Sequence, residues 1–204
     1  MAKTQRIFGK TTLGFRVKSG WASAVIVAGP IKSPVILKSR TVLLSDPNVP
    51  ETKQPYHAGT GKLEEHTAVV KKRVKIIHQS TRKSIRELLN ELRREGQKVR
   101  TAALVVGSLT DPMSIGNLHI RAHAFEGQTF RTALAGALGS HGILTVVMLE
   151  RNIYSEASAI LHVAPSQLKK TLLRIGASQK PWSANEKMAA LSAWIALAGR
   201  SSLK

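Results

Sequence analysis

The chain of 204 residues contains no cysteine. Disulfide bonds, thiolate-bound zinc and a thiol nucleophile are therefore excluded. Aromatic residues make up only 4% of the sequence, so valine, leucine, isoleucine and alanine must fill the core. Long apolar runs are also missing, because the longest uncharged stretch, 132–149, is interrupted by glycines and is too broken for a membrane-spanning helix.

Acidic residues are the other scarcity, since 12 Asp and Glu stand against 31 Lys and Arg and the net charge is +19. Such an excess of positive charge indicates a polyanionic partner. We predict a single domain at 13–200 behind a basic flexible tail at 1–12, in the cytoplasm. The first 45 residues contain no acid, so an N-terminal transit segment stays open as an alternative.

Apolar patterning predicts alternating strands and helices. A meander of three strands is expected first, at 13–20, 21–28 and 34–44, with a Gly turn at Gly20. A connection rich in proline and glycine follows at 45–62, and its length is typical of a functional or mobile segment. Beyond it the pattern predicts a helix at 63–96, a strand at 101–107, an irregular stretch at 108–123, a helix at 125–138, a strand at 143–149, and helices at 152–162, 166–175 and 187–197.

This order, together with the segments LGFRVKSG (13–20), WASAVIV (21–27) and EKMAALSAWIA (186–196), resembles the ribonuclease H-like superfamily. Within it, the similarity is to the RuvC and YqgF resolvase-like branch. The resemblance implies an α/β fold with a ribonuclease H-like mixed sheet, three antiparallel meander strands plus two parallel strands, flanked by helices.

The resemblance also implies a nuclease site in which three or four carboxylates hold two Mg²⁺ or Mn²⁺ ions. This chain departs from that pattern. Lys18 stands where the first strand would carry its aspartate, Val106, Gly107 and Ser108 end the strand where another acid belongs, and Ala189 replaces an acid of the last helix. We therefore expect a degenerate two-metal site and no metal cofactor.

Four acids remain as catalytic candidates because they sit at predicted strand ends or helix starts: Asp111, Glu126, Glu150 and Glu186. Each also has a structural interpretation. Glu126 and Glu186 suit helix starts, the latter in a capping box with Ser183; Glu150 suits an ion pair with Arg151, and Asp111 suits a turn. A metal-dependent nuclease or phosphoesterase with a rearranged Asp/Glu/His site, using Mg²⁺ or Mn²⁺, is thus an alternative.

The stretch 117–126 is the richest in reactive groups. If it is helical, His119, His123 and Glu126 share a face and form a candidate transition-metal site. If it is extended, His119, Arg121 and His123 form an anion-binding strip. Gly116 and Asn117 favour extended chain before Ala124, so no metal is expected here.

The predicted helix 63–96 carries an apolar stripe and, on the opposite side, an arc of about 140° at 100° per residue. This arc holds Lys71, Lys72, Lys75, Arg82, Lys83, Arg86, Arg93 and Arg94. A one-sign face of this kind is typical of nucleic-acid binding, to DNA or RNA. A membrane surface is not expected, because the other face of the helix is needed for the core.

The predicted nucleic-acid contacts are Lys72, Lys75, Arg82, Lys83, Arg86 and Arg93 on this helix, with Lys18, Arg121 and His123 near the cleft. A further alternative is a basic subunit of a ribonucleoprotein or phage-derived assembly, with the N-terminal tail and the connection 45–62 as contact arms.

Overall fold

A computed structural model of the protein describes residues 10–59 and 62–199. Most of the predicted tail 1–12 lies outside these residues, but Thr11 and Thr12 already belong to the first strand. The strands are β1 (Thr11–Lys18), β2 (Trp21–Ala28), β3 (Val35–Leu43), β4 (His57–Ala58), β5 (Lys62–Leu63), β6 (Val99–Val106) and β7 (Leu144–Leu149).

The main sheet has five strands in the order β3-β2-β1-β6-β7. The first three strands pair antiparallel, and β6 joins β1 and β7 in parallel. The expected mixed sheet, three antiparallel strands plus two parallel ones, is confirmed. Because β1 and β6 run in parallel, their carboxyl ends meet at one edge of the sheet.

Helices cover both faces of this sheet. They are α1 (Thr67–Arg94), α2 (Leu118–Gly139), α3 (Ile153–Leu161), α4 (Pro165–Ile175) and α5 (Ala184–Ala198). Apolar residues of α1 and α2 pack on one face of the sheet, and those of α3, α4 and α5 pack on the other. No helix among the described residues combines the length and the apolar character needed to cross a membrane.

The central strand β1 lies very close to α5. A Cβ added to Gly14 would fall 1.8 Å from the carbonyl oxygen of Ala189 and 2.7 Å from Oγ of Ser192. Glycine at this position therefore allows the last helix to pack directly on the strand backbone.

The prediction for 108–123 is wrong at its end, because α2 begins at Leu118. Asn117, read from the sequence as favouring extended chain, is the N-cap of this helix: its side chain accepts a hydrogen bond of 3.0 Å from the backbone N–H of Ile120. A capping side chain satisfies an N–H group that has no partner within the helix, so the helix starts there.

The described part of the predicted connection, 45–59 and 62, is folded against the helices. It contains a short 3₁₀ helix (Pro50–Lys53) and β4, which pairs with β5. The ring of Tyr56 stacks on Phe125 of α2 at a centroid distance of 5.0 Å, and its hydroxyl lies 3.0 Å from Oγ1 of Thr129. Tyr56 thus anchors the connection to α2.

Candidate functional site: a basic cleft, a histidine cluster and a basic helix face

A cleft of about 430 Å³ opens at the carboxyl ends of β1 and β6, beside α2. Its charged lining comes from Arg16 and Lys18 of β1 and Arg131 of α2, and His123 reaches it from α2. Among the described residues that line it, none is an aspartate or a glutamate. The charged side chains that line the cleft are therefore all basic.

Arg16 is the buried charge beneath this cleft, with a side chain that is only 4% exposed. Its guanidinium donates to a carboxylate oxygen of Glu150 and to the carbonyl oxygen of Val17 at 2.7 Å. Burial lowers the pKa of Arg16, although the charge and hydrogen bond of Glu150 raise it. Within the described part of the chain, Nε of Arg16 is buried without a hydrogen-bond partner.

Three of the four candidate carboxylates are engaged in separate structural contacts. Glu150 pairs with Arg16 and not with Arg151, which corrects the predicted local pair. Glu186 forms the capping box with Ser183 that its sequence pattern predicts, and it also accepts a hydrogen bond of 2.6 Å from Ser23. Asp111 accepts one from the backbone N–H of Met113 at 3.0 Å and caps a 3₁₀ helix.

The fourth candidate, Glu126, lies in the middle of α2 and is fully buried, so its predicted place at a helix start is wrong. One of its oxygens lies 2.7 Å from Nδ1 of His57 and the other 3.2 Å from Nδ1 of His123. A further contact joins Nε2 of His57 to Nδ1 of His119 at 3.4 Å. His57, His119 and His123 are called the histidine cluster below.

The helical alternative for 117–126 is thus the one that the structure shows, and it brings His119, His123 and Glu126 to one face. One nitrogen from each ring of the histidine cluster lies within 4.8 Å of the others. Among the described residues this is the one group of three or more His, Asp or Glu with metal-ligand spacing, so Asp111, Glu150 and Glu186 do not join it.

Burial shapes the electrostatics of the cluster. It raises the pKa of Glu126 to about 7, while the hydrogen bond and charge of His123 and the backbone N–H of Tyr56 oppose the rise. Burial also lowers the pKa of His57, whose side chain is only 6% exposed. A carboxylate with this little solvent needs the imidazole N–H groups as hydrogen-bond donors.

The outer face of α1 is exposed, as its periodicity predicts. All eight bases of the predicted arc are on the surface, and we call them the basic face. Arg93 donates to the side-chain oxygen of Asn90 at 3.0 Å, which is a neutral partner. No residue of the basic face forms an ion pair within the described residues.

Lys18, Arg121 and His123, the other predicted nucleic-acid contacts, differ in exposure. Lys18 is half-buried in the cleft lining and His123 is exposed at its margin. Arg121 is half-buried and donates from Nε to the carbonyl oxygen of Ile115 at 2.7 Å, so part of its hydrogen-bonding capacity holds the chain before α2.

Two residues of the site, Arg16 and His57, are missing from the sequence prediction. The position of Arg16 between the apolar residues Phe15 and Val17 of β1 is the signal that points to it, because a buried charge needs a partner. His57 carries no such local signal beyond its position in a long connection.

Comparison with solved structures identifies the architecture. Thermus thermophilus RuvC in complex with a Holliday junction substrate is 13% identical and superimposes with a TM-score of 0.54, covering 95% of this chain and 97% of RuvC. A second Thermus thermophilus RuvC structure is 14% identical, with a TM-score of 0.53 and coverage of 92% and 93%. The fold is that of RuvC. The ribonuclease H-like, RuvC-like architecture expected from the sequence is therefore confirmed.

The yeast mitochondrial Holliday junction resolvase is also similar, at 10% identity and a TM-score of 0.49, covering 92% of this chain and 77% of the resolvase. No family model and no curated protein matches the sequence. At 13–14% identity, the likeness to the two RuvC structures shows the fold alone.

Proposed function

We propose that the protein binds nucleic acid through its phosphates, along the basic face of α1, with the basic cleft as a second contact surface. The observation that carries this proposal is the basic face itself: eight exposed bases on one side of one helix, none of them neutralised by a carboxylate among the described residues. A polyanion supplies the missing negative charge.

Two neighbouring acids, Glu91 of α1 and its C-cap residue Glu95, are held away from these bases. Glu91 accepts hydrogen bonds from Lys38 and Arg40 of β3, and Glu95 accepts one of 2.9 Å from Lys38. The positive charges of β3 thus neutralise Glu91 and Glu95, and Glu87 forms no ion pair among the described residues, so the basic face stays unpaired. Like charges three or four residues apart repel by a few tenths of a kcal/mol per pair, which a bound polyanion offsets.

The length of the basic face suits an extended ligand. Lys71 and Arg94 are 23 residues apart in α1. At 1.5 Å per residue they are separated by about 35 Å along the helix axis, about one helical turn of duplex DNA. Several phosphates can therefore be contacted at once, and binding should weaken steeply with salt.

The cleft supports phosphate binding and does not fit a pair of Mg²⁺ or Mn²⁺ ions. The charged residues that line it are Arg16, Lys18 and Arg131. Glu150 is the carboxylate that contacts this lining, and it is already paired with Arg16. Two hard cations need several free carboxylate oxygens, whereas cations repel them. We therefore infer a degenerate two-metal site.

The likeness to RuvC agrees with this proposal, since one of the matching RuvC structures holds a Holliday junction substrate. The proposal for this chain is broader and covers DNA or RNA, because backbone phosphates are common to both.

The test is a fluorescence anisotropy titration against duplex DNA, single-stranded DNA, a four-way junction and structured RNA over a series of salt concentrations. A triple variant, Lys72→Gln/Lys75→Gln/Arg82→Gln, removes three charges from the basic face. We expect the slope of log affinity against log salt to fall by about 1 for each lost phosphate contact, so by up to about 3.

The matched control is Lys169→Gln/Lys170→Gln/Arg174→Gln, which removes the same residue types from α4 on the other face of the sheet. It should bind like the wild type. Equal losses in both triple variants would show that binding follows net charge only, and no binding at low salt would refute the proposal.

A further inference from the structure

We propose that His57, His119 and His123 bind a divalent transition-metal ion of the zinc type, with Glu126 as the carboxylate that orients two of the three ligands. This inference is independent of the proposed nucleic-acid binding. It starts from the convergence of three imidazole rings from two distant parts of the sequence.

The ring spacing fits one metal ion. Two nitrogens bound at about 2.0–2.1 Å to a tetrahedral zinc ion lie about 3.3–3.4 Å apart. Nε2 of His57 and Nδ1 of His119 are 3.4 Å apart. The ring centroid of His123 lies 4.6 Å from that of each of the other two. His119 and His123 are four residues apart in α2, the spacing that places two zinc-binding imidazoles on one helix face.

Glu126 leaves the correct nitrogens free. Its two oxygens contact Nδ1 of His57 and Nδ1 of His123, so when the carboxylate is ionised both rings donate their N–H to it. The lone pair then lies on Nε2 of each ring, on the side away from Glu126. Carboxylate partners of this kind are common behind metal-bound histidines and fix the tautomer and orientation of the ring.

The third ligand is held in place before any metal binds. The carbonyl oxygen of His57 accepts a hydrogen bond of 3.2 Å from Arg73 of α1, and its backbone N–H donates to Gln54 at 3.1 Å. The adjacent Tyr56 stacks on Phe125. A ligand that is fixed by its backbone loses little conformational freedom on binding the metal.

The residue types select the metal. Imidazole suits zinc, copper and nickel, whereas Mg²⁺ and Ca²⁺ prefer oxygen ligands. Three protein ligands leave a fourth tetrahedral position for water or a substrate. His119 and His123 are exposed, and His123 also lines the basic cleft, so this open position faces solvent beside the cleft.

Zinc binding to the full-length protein, stripped of metal with a chelator, tests the proposal by isothermal titration calorimetry. We expect one Zn²⁺ per chain, and a visible spectrum typical of four-coordinate geometry when Co²⁺ replaces it. His119→Ala and His123→Ala should each lose this stoichiometric binding. Glu126→Gln should weaken it by about 10- to 100-fold, as expected for a partner that orients ligands.

His141→Ala is the matched control, because it removes an exposed histidine just beyond the far end of α2. Circular dichroism checks that each variant folds. His119 forms no hydrogen bond with Glu126 among the described residues, so His119→Ala removes a ligand and leaves the His57–Glu126 contact in place. If His119 is not a ligand, its removal leaves zinc binding as in the wild type. That result, or the absence of stoichiometric binding by the wild type, would overturn the proposal.

Discussion

Arg16 in β1 and Glu150, the first residue after β7, form an ion pair across the strand β6 that lies between them. The arginine is nearly inaccessible to solvent, whereas the glutamate side chain is 36% exposed. The pair thus connects the antiparallel half of the sheet to its parallel edge, at the bottom of the basic cleft.

Removing the carboxylate from this pair should destabilise the fold. Glu150→Gln leaves a buried guanidinium without its counter-charge, and we expect a loss of about 1–3 kcal/mol in the free energy of unfolding. Chemical denaturation measures it. Glu51→Gln, which removes an exposed acid, should change stability by less than about 0.5 kcal/mol. The double variant Arg16→Met/Glu150→Gln should recover much of the loss. If it is the least stable of the three variants, the unpaired charge of Arg16 is not what destabilises Glu150→Gln.

Gly14 should not tolerate a side chain. Gly14→Ala forces the new methyl group against the carbonyl oxygen of Ala189, so α5 has to move away from β1. Overpacking of this kind costs about 1–3 kcal/mol or more. Thermal unfolding measures the effect, and Gly136→Ala, which meets no atom within 4 Å, is the control. A Gly14→Ala variant as stable as the wild type would contradict this packing.

Ser23 should contribute stability that depends on pH. Burial raises the pKa of Glu186, but hydrogen bonds from Ser183, Ser23 and the backbone outweigh it and hold the pKa below its ordinary value. A carboxyl group with a depressed folded pKa stabilises the protein above its unfolded pKa, and this contribution is lost as the pH falls through the folded value.

Ser23→Ala removes one of these donors. We expect a loss of about 1.5–3 kcal/mol near neutral pH, because the hydrogen bond is made to a charged group. The difference from the wild type should shrink as the pH falls through the lowered folded pKa of Glu186, because below it the carboxyl group is protonated in both folded proteins. Urea denaturation at several pH values measures it, and a difference that is constant with pH would contradict this role of Glu186.

Local patterns in the sequence were sufficient for the sheet and most helices. The alternation of β1 to β3, the periodicity of α1 and the capping box at Ser183 depend on residues close in sequence, and each has its own physical signal. The start of α2 was missed for a local reason: Asn117 suits both a helix cap and a turn, and only the hydrogen bond to Ile120 distinguishes them.

The site was harder to predict because its contacts are long-range. Arg16 and Glu150 are 134 residues apart, and His57 and Glu126 are 69 apart. Helix and strand periodicities relate residues that are close in sequence, so neither pairing could be predicted from them. The sequence places Glu126 at the start of a predicted helix and therefore predicts a helix-capping role. Because α2 begins at Leu118 instead, Glu126 lies inside the helix and contacts two histidines.

Arg73 should hold the segment around β4 against the helices. It donates to the carbonyl oxygens of Pro55 and His57 at 3.1 and 3.2 Å, and it is close to Glu64. Arg73→Ala leaves these partly buried acceptors unpaired, so we expect faster hydrogen exchange at the amides of Thr52 and His57, with β1 and β2 still protected. The neighbouring Lys72→Ala should leave exchange unchanged. Equal exchange in both variants would show that Tyr56 alone anchors the segment.

Glu91 and Glu95, beside the basic face, should weaken nucleic-acid binding because they form ion pairs with Lys38 and Arg40. Glu91 accepts hydrogen bonds from both Lys38 and Arg40, and the Lys38 hydrogen bond is the main cause of its lowered pKa. Glu91→Gln releases Arg40 next to the basic face, whereas Lys38 keeps its hydrogen bond of 2.9 Å to Glu95. We therefore expect tighter binding of duplex DNA and a salt slope steeper by about 1, at a cost in stability of about 1 kcal/mol or less, since the pair is partly exposed. Glu51→Gln changes the net charge by the same amount but releases no cation, so in anisotropy titrations it should affect affinity much less. If both variants gain equally, net charge and not the arrangement around α1 governs binding.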